Sequence, residues 1–368
     1  MNLIDLGWSE LFQKEFDKLS DKELEPARIA REHKELYTVF CEKGEFRAEV
    51  TGKLRFNAKS RADFPAVGDW VAAAVYPDEG KAVINNILPR RSKFSRRAVL
   101  SGGMPETGGR TDEQVLAANI DTVFLVSGLD HDFNLRRIER FLAAAWESGA
   151  APVIILNKAD LCSDIDEAIS QVESIAIGVP IHAISAGSNT GLDVITPYMN
   201  RGQTVALLGS SGVGKSTIIN SLLGENRLKT TEVREDDSKG RHTTTHRELV
   251  ILPTGGLIID TPGLRLFKVW DGEESISQLF AEIEAIARQC RFSDCSHQSE
   301  PGCAIKQALK SGALEESRYE NYLKLQKEQK ALELRKNQKE ARKQQRTFSK
   351  KIKQILKEKD ELKRKGLI

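Results

Sequence analysis

Several features that mark other protein classes are missing from this 368-residue sequence. No apolar run reaches the roughly 18 residues that a membrane-spanning helix needs. The first residues, MNLIDLGWSELFQKEF, contain acidic side chains and lack the apolar core of a signal peptide. The five cysteines, three of them bunched at 290–303, do not resemble the disulfide framework of a small secreted protein. We therefore expect a cytoplasmic protein without membrane contact.

The net charge of +2 conceals a strong asymmetry along the chain. From Arg318 to the end there are 18 Lys and Arg against 7 Asp and Glu, so a basic tail follows a mildly acidic body. Such a tail is either a contact for RNA phosphates or a solvated charged helix. At the other end we expect one short docking helix, whose buried face would carry Leu3, Leu6, Leu11, Phe12 and Phe16.

Residues of about 27–97 are typical of short β-strands. ELYTVFCEKGEFRAEV alternates apolar and polar residues, and GDWVAAAVYPDEGKAVINNILP predicts two strands around a turn. Because no helical stretch interrupts the block, it predicts a small barrel or sandwich. The basic run PRRSKFSRR (89–97) is an RNA-contact candidate or a solvated face, and SGGMPETGGR (101–110) has the composition of a linker or loop.

Strands alternate with helices from about residue 115 onward. DTVFLVSG, APVIILN, IHAISA and TVALLG are apolar strands, and helical patterns such as NLRRIERFLAAAWESG separate them. This alternation predicts a doubly wound α/β domain with a parallel sheet. From about 270 the pattern is helical.

The sequence GSSGVGKS (209–216) matches the phosphate-loop motif G-x-x-x-x-G-K-[ST] between a predicted strand and a predicted helix. Its backbone N–H groups would wrap phosphates at a helix N-terminus. Lys215 would reach the β- and γ-phosphates, and Ser216 would bind Mg²⁺. The alternative, a chance glycine-rich turn, does not explain this context.

The sequence NKAD (157–160) favours guanine over adenine. Asp160 at a strand end can accept from the N1–H and 2-amino groups of guanine, which adenine lacks. Asn157 would orient the loop and the Lys158 stem would cover the base. Alternatively, Asp160 caps the following helix, and the protein is an ATPase or kinase. Ser185-Ala186 follow the next strand, where a second base-contacting loop is expected.

Two further segments indicate magnesium and γ-phosphate contacts. In DTPG (260–263) Asp260 would hold Mg²⁺ through water, and the Gly263 N–H would contact the γ-phosphate. In GRHTTTH (240–246) three threonines compete to close over the Mg²⁺, and Thr244 is our choice. Either segment could instead be ordinary turn or strand sequence.

These parts occur in the order NKAD, Ser-Ala, phosphate loop, threonine loop, DTPG. An ordinary GTP-binding domain has the phosphate loop first. Since chain ends of compact domains often lie close together, rejoining them and opening another loop can preserve the fold. The order therefore predicts a GTPase domain that is circularly permuted and cut after DTPG.

The cysteine island supplies a complete set of zinc ligands. Cys290, Cys295, His297 and Cys303 provide three thiolates and one imidazole, which suit a tetrahedral structural site for one Zn²⁺. Cys41 and Cys162 are expected to be inert packing residues.

Over about residues 28–315 the chain resembles the circularly permuted, ribosome small-subunit-dependent GTPase A (RsgA) family. The resemblance rests on EQVLAANIDTVFLV, NKAD, GSSGVGKST, GRHTTT, DTPG and the cysteine island. It implies an OB-fold barrel, a permuted GTPase and a C-terminal zinc domain. The predicted boundaries are an N-terminal helical extension 1–26, barrel 27–100, GTPase 110–268, zinc-binding helical domain 269–330 and basic helical tail 331–368.

The resemblance also implies a function. We expect a GTPase, a monomer, that binds the 30S subunit and its 16S rRNA, assists late 30S maturation and converts GTP to GDP. Leu264 occupies the place where Ras-like enzymes carry the water-positioning glutamine, so intrinsic turnover should be slow. His242 is the catalytic candidate, and a plain surface histidine is the alternative.

The competing hypothesis is an RNA-binding scaffold in which the guanine nucleotide is structural and is not turned over. In both cases the motifs predict the same nucleotide-binding residues: Asn157, Lys158, Ala159, Asp160, Ser185, Ala186, Gly209, Ser210, Ser211, Gly212, Val213, Gly214, Lys215, Ser216, Thr217, Asp260 and Gly263.

Overall fold

Five strands close into a barrel near the start of the chain. The computed structural model describes residues 1–19, 21, 23–33, 36–99, 111–225, 247–260, 279–292, 294–298, 300–327 and 330. The barrel strands pair in the order β1-β2-β3-β5-β4, and β4 returns to β1. This closure is that of a five-stranded OB-type barrel. The strands are β1 Glu25–His33, β2 Leu36–Cys41, β3 Gly44–Val50, β4 Trp70–Tyr76 and β5 Lys81–Ile87.

Alternation along the strands fills the barrel. In β3, Phe46, Ala48 and Val50 are buried while the residues between them are exposed, as a strand with one face on the core requires. Small alanines and β-branched valines from the other strands pack against them. The predicted barrel and the predicted strands on either side of Pro77–Glu79 are confirmed.

The expectation that no helix interrupts the barrel is wrong. Helix α2 (Gly52–Asn57) lies between β3 and β4, whereas helix α1 (Glu10–Phe16) precedes the barrel and does not interrupt it. The Thr51 side chain caps α2 by accepting from the Leu54 N–H over 3.2 Å. Such a cap stabilises a short helix by about 1 kcal/mol. The alternating strand pattern of the flanking sequence does not indicate this helix.

The N-terminal segment is not one amphipathic helix. Gly7, with φ of +86°, ends a 3₁₀ turn over Ile4–Leu6 before α1 begins. A side chain at this glycine would lie 2.7 Å from the Gly202 carbonyl. The bend puts Phe12 at 2% exposure and leaves Leu11 at 59%, so Leu11 does not share the predicted buried face.

The buried Arg28 fastens this segment to the barrel. Its guanidinium donates to the backbone carbonyls of Leu6, Gly68 and Asn119, and it lies against the Trp70 ring. Burial lowers the pKa of Arg28 to about 10. Through these bonds the arginine joins three stretches of chain that are distant in sequence.

The basic run at 89–97 enters a two-stranded hairpin of β6 (Lys93–Val99) and β7 (Thr111–Ala118). Arg90, Arg91 and Lys93 form ion pairs with carboxylates, and the pair of Arg90 with the buried Asp69 is 2.7 Å long. Three cations of the predicted RNA contact thus serve internal pairs. The predicted linker 101–110 joins two paired strands and lies outside the described residues.

The second sheet has the order β10-β9-β8-β11-β13-β12, and only β12 is antiparallel to its neighbour. Helices α3 and α4 connect successive parallel strands and α5 follows β11, so the predicted α/β class is confirmed. The elements are β8 Thr122–Gly128, α3 Leu135–Ser148, β9 Ala151–Asn157, α4 Ile165–Glu173, β10 Ile181–Ala183, β11 Thr204–Gly209, α5 Lys215–Leu223, β12 Arg247–Ile251 and β13 Leu257–Asp260.

Strand β12 also pairs with β1 of the barrel, so the barrel strands and the second sheet form one hydrogen-bonded sheet of 11 strands. Arg31 pairs with Glu248 in the backbone register, and their side chains form an ion pair of 2.7 Å. This junction joins the barrel to the second sheet through backbone pairing and an ion pair.

The chain divides into two compact units, Met1–Val269 and Trp270–Ile368. In the second unit the described helices are α6 (Ala281–Ala287), α7 (Ala304–Ser311) and residues 316–327. Phe280 is fully buried, lies against the Tyr322 ring and is covered by the Arg318 guanidinium. Of the basic tail predicted at 331–368 nothing is described. Within the described part of the chain, no helix has the length and apolarity to cross a membrane.

Candidate functional site

The phosphate loop lies where the direction of strand connection reverses. From β8 the chain winds through β9 to β10 on one side of β11, and from β11 it proceeds to β13 on the other side. Ligands of doubly wound sheets bind at such a switch point, beyond the carboxyl ends of the strands. The sequence 209–216 begins at that end of β11 and runs into α5.

Two glycines of this loop are required by close packing. A side chain at Gly209 would lie 2.4 Å from the Val126 carbonyl, and one at Gly214 would lie 2.2 Å from the Asn157 amide nitrogen. Gly214 also has φ of +94°, which L side chains rarely adopt. Lys215 donates from Nζ to the carbonyls of Gly209 (2.8 Å) and Ser210, so its ammonium lies at the loop.

Asn157 joins three loops at the carboxyl edge of the sheet. Its Nδ2 donates to the Val213 carbonyl over 2.8 Å, and its Oδ1 accepts from the Ala186 N–H over 3.0 Å. The side chain is buried, so both amide groups are satisfied by protein. The segment NKAD, the phosphate loop and the Ser-Ala loop are thereby brought together, although 56 residues separate Asn157 from Val213.

Asp160 is held by the Ser-Ala loop. The Ser185 hydroxyl donates to its Oδ1, and the Ala159 N–H donates to the Ile184 carbonyl over 3.0 Å. The alternative role for Asp160, as cap of the next helix, is wrong. Asp164 caps α4 by accepting from the Glu167 N–H over 2.9 Å.

Lys158 adopts a left-handed conformation with φ of +63° and pairs with Asp130, Nζ to Oδ2, over 2.6 Å. Burial raises the pKa of Asp130, but hydrogen bonds from Lys158 and from the Asp132 N–H, together with the lysine charge, bring it below its ordinary value. The carboxylate therefore stays ionised and fixes the lysine stem beside the loop.

Sequence reasoning missed Arg137, in the first turn of α3. Its Nη1 donates to the Ser210 hydroxyl over 2.6 Å and to the Asp132 carboxylate over 2.5 Å. Ser210 thus contacts Arg137 through its hydroxyl and Lys215 through its carbonyl. The sequence feature that could have identified Arg137 is its position in the first turn of the helix that follows β8. Strand β8 is the neighbour of β11, which carries the phosphate loop.

Asp260 is the last residue of β13 and pairs in register with Glu248 of β12. Ser216 and Thr217 lie in the first turn of α5, while Ser211 and Gly212 are exposed in the loop. Gly263, His242 and Thr244 lie outside the described residues. The predicted γ-phosphate and catalytic positions therefore stay predictions.

The cysteine island forms a compact ligand cluster in the second unit. The ligand atoms of Cys290, Cys295, His297 and Cys303 all lie within 4.8 Å of one another. Cys290 Sγ lies 4.0 Å from Cys303 Sγ, and His297 Nδ1 lies 3.6 Å from the first sulfur and 3.5 Å from the second.

Those separations fit a tetrahedral metal ion. Zinc–sulfur bonds of about 2.3 Å and zinc–nitrogen bonds of about 2.0–2.1 Å, at tetrahedral angles, place the ligand atoms roughly 3.5–3.8 Å apart. The Ala304 N–H also donates to Cys290 Sγ over 3.3 Å, which favours a thiolate there. The cluster is therefore a candidate metal site.

Comparisons with known proteins agree with this geometry. A family model described as RsgA GTPase matches residues 87–270, half of the chain. A small ribosomal subunit biogenesis GTPase RsgA from Opitutus terrae is 48% identical over 338 residues, covering 89% of this chain and 90% of the relative. RsgA 2 of Lactiplantibacillus plantarum is 46% identical over 348 residues, covering 95% of both chains. The chain belongs to the RsgA GTPase family.

Membership of the RsgA family confirms the resemblance and makes the chain a GTP hydrolase. The crystal structure of YjeQ from Thermotoga maritima matches with a TM-score of 0.59 and 30% identity, over 83% of this chain and 98% of that one. YloQ, described as a circularly permuted GTPase, matches with a TM-score of 0.57 at 23% identity and supports the fold. A second model, described as 50S ribosome-binding GTPase, matches residues 204–359.

Proposed function

We propose that this RsgA-family GTPase assists late maturation of the small ribosomal subunit, binding 30S particles and their 16S rRNA with GTP and leaving after hydrolysis. The observation that carries the proposal is the joining of the guanine-reading segment to the phosphate loop through Asn157. Relatives that are 42–48% identical carry the name of small ribosomal subunit biogenesis GTPases. We further propose a cytoplasmic monomer.

In this proposal Asp160 accepts from the guanine base, while the Lys158 stem and Ser185-Ala186 contact it. The Lys215 ammonium leaves its loop carbonyls for the β- and γ-phosphates. Backbone N–H groups at residues 209–217 receive the phosphate oxygens. Ser216 and Thr244, with Asp260 through water, would hold the Mg²⁺ that accompanies GTP.

Intrinsic turnover is slow in this proposal, because Leu264 replaces a water-positioning glutamine. Docking on the subunit supplies the missing alignment, with His242 as the residue that positions water. The ion in the cysteine cluster is Zn²⁺, since three thiolates and one imidazole are the ligand set that structural zinc prefers. It stabilises the second unit and takes no part in hydrolysis.

Asp160→Asn tests the reading of guanine. The amide replaces an acceptor with a donor that matches the 2-oxo group of xanthine, so affinity should move from GDP to XDP. Competition of GDP, XDP and ADP against a fluorescent guanine nucleotide measures the change. A wild-type protein that prefers ADP, or a variant that keeps its GDP preference, would contradict the assignment.

A second candidate partner is the large subunit, which the 50S ribosome-binding model favours. Titrating the GTPase reaction with purified 30S, 50S and 70S particles separates the two. The proposal requires that 30S particles stimulate turnover most. Stimulation by 50S alone would support the second candidate, and binding to 30S without any stimulation would support a scaffold whose nucleotide is structural.

A further inference from the structure

An aromatic side chain stands in solvent on the barrel. Phe56 of α2 is 89% exposed, whereas Leu54, two residues earlier, packs against the barrel core. The helix is thus anchored by one side chain and presents the other outward. An exposed ring of this size provides a flat surface on which a nucleobase can stack, for about 1–3 kcal/mol per base.

Basic residues lie close to Phe56 in the sequence, and no acidic residue lies within six positions of it. The stretch GKLRFNAKSR (52–61) holds four exposed Lys and Arg and no acidic residue. Lys53, Lys59 and Arg61 make no ion pair with any residue that the structure describes. Asp63, the nearest carboxylate in sequence, is engaged by the backbone N–H groups of Lys59 and Ser60, both at 2.8 Å.

Several other basic side chains of the barrel region behave differently. Arg31, Lys43, Lys81 and Arg90 each have a carboxylate partner. Three basic side chains without an ion pair among the described residues therefore lie within five positions of Phe56 in the sequence. A phosphate backbone complements that combination of cations and ring better than an apolar protein surface does.

A cavity of about 590 Å³ adjoins α2 on the side of Lys53, Leu54 and Asn57. Amide groups of Asn57, Asn85 and Asn86 line it together with Lys18, and Asn85 Oδ1 is buried without a hydrogen-bond partner among the described residues. The carboxylates of Asp21 and Asp63 also line it, and both accept backbone N–H groups. Amides offer the donor and acceptor pair that unstacked bases present at their edges.

We propose that α2 and this cavity bind single-stranded RNA. Phosphates contact Lys53, Lys59 and Arg61, one base stacks on Phe56, and the edge of a neighbouring base enters the amide-lined cavity. The inference rests on the proposed function only for the source of the RNA, the small-subunit rRNA. A duplex binds more weakly here because its bases are already stacked on each other.

The test measures fluorescence anisotropy of a labelled, unstructured 12-nucleotide RNA, and of a duplex of equal length, with the full-length GDP-bound protein. Phe56→Ala should weaken single-strand binding about 5- to 100-fold, and Phe56→Trp should retain it. The double variant K53A/K59A should reduce the slope of log affinity against log salt by about 1.4, since each phosphate contact contributes about 0.7. Matched controls are Ile177→Ala, an apolar side chain 82% exposed, and Lys14→Ala, an exposed lysine.

Single-strand affinity of Phe56→Ala within twofold of wild type would overturn the proposal. Normal RNA binding by Phe56→Ala combined with weaker binding of this variant to intact 30S particles would also overturn it. That result assigns the surface to a ribosomal protein. Since Phe56 makes little contact with the barrel, unchanged thermal unfolding is expected for the variant. The RNA assay involves neither ribosomes nor GTP turnover. A negative RNA result therefore does not contradict the proposed function, and a lack of stimulation by 30S particles does not contradict the RNA result.

Discussion

Asn157 donates its side-chain N–H to the Val213 carbonyl over 2.8 Å, and so connects the segment expected to read the base with the loop expected to hold the phosphates. The same side chain accepts from the Ala186 N–H. One buried amide thus sets the spacing between the two halves of the nucleotide site.

Asn157→Ala should weaken GTP and GDP binding by at least about tenfold, because a buried donor and a buried acceptor lose their partner at about 1–3 kcal/mol each. Titration with a fluorescent guanine nucleotide measures this. The control Asn200→Ala removes an exposed amide from the same lobe and should bind normally. Equal affinities for both variants would show that Asn157 does not set the spacing.

Arg137→Ala should loosen the phosphate loop, since the Ser210 hydroxyl loses its charged donor. We expect about tenfold weaker GTP binding, equivalent to about 1.4 kcal/mol, with partial recovery in Arg137→Lys. Turnover at saturating GTP should change less than the Michaelis constant. A large fall in turnover at unchanged affinity would instead assign Arg137 a direct part in hydrolysis.

The pair of Lys158 with Asp130 predicts a pH dependence. The folded-state pKa of Asp130 is below its ordinary value, so its contribution to stability is present above about pH 3.9 and disappears as the pH falls through the lowered pKa. The stability difference between wild type and Asp130→Asn, from urea unfolding, should therefore be largest near neutral pH. A difference that is constant from pH 7 to pH 3 would contradict this.

Removing the metal should affect the two units differently. A strong chelator, or Cys290→Ser, should unfold the second unit, because metal binding by such clusters supplies folding free energy. Metal content and hydrogen exchange at α6 and α7 report that loss. Guanine-nucleotide affinity should persist, since the predicted base and phosphate contacts lie within Met1–Val269. Loss of nucleotide binding together with the metal would contradict this independence.

Motif order and spacing were enough to predict the permuted domain, because each motif had to follow an apolar strand. They could not reveal Arg137, whose role depends on a contact across 73 residues with Ser210. Gly7 in a left-handed turn altered the N-terminal face, since helical periodicity does not register one reversal of the backbone. The sequence could not show that three cations of the basic run at 89–97 pair with Asp69, Asp121 and Glu113, because these carboxylates are distant along the chain.

The pairing of β1 with β12 has a consequence for biosynthesis. The barrel closes through β1 and β4 and can form while the rest of the chain is still being translated. The nucleotide site cannot form at that stage, because β11 and β13 are synthesised late. The segment NKAD is synthesised before the phosphate loop that it contacts. When β12 emerges, it adds to the free edge of β1 across more than 200 residues. A nascent chain therefore acquires its nucleotide site only after most of the first unit has been synthesised.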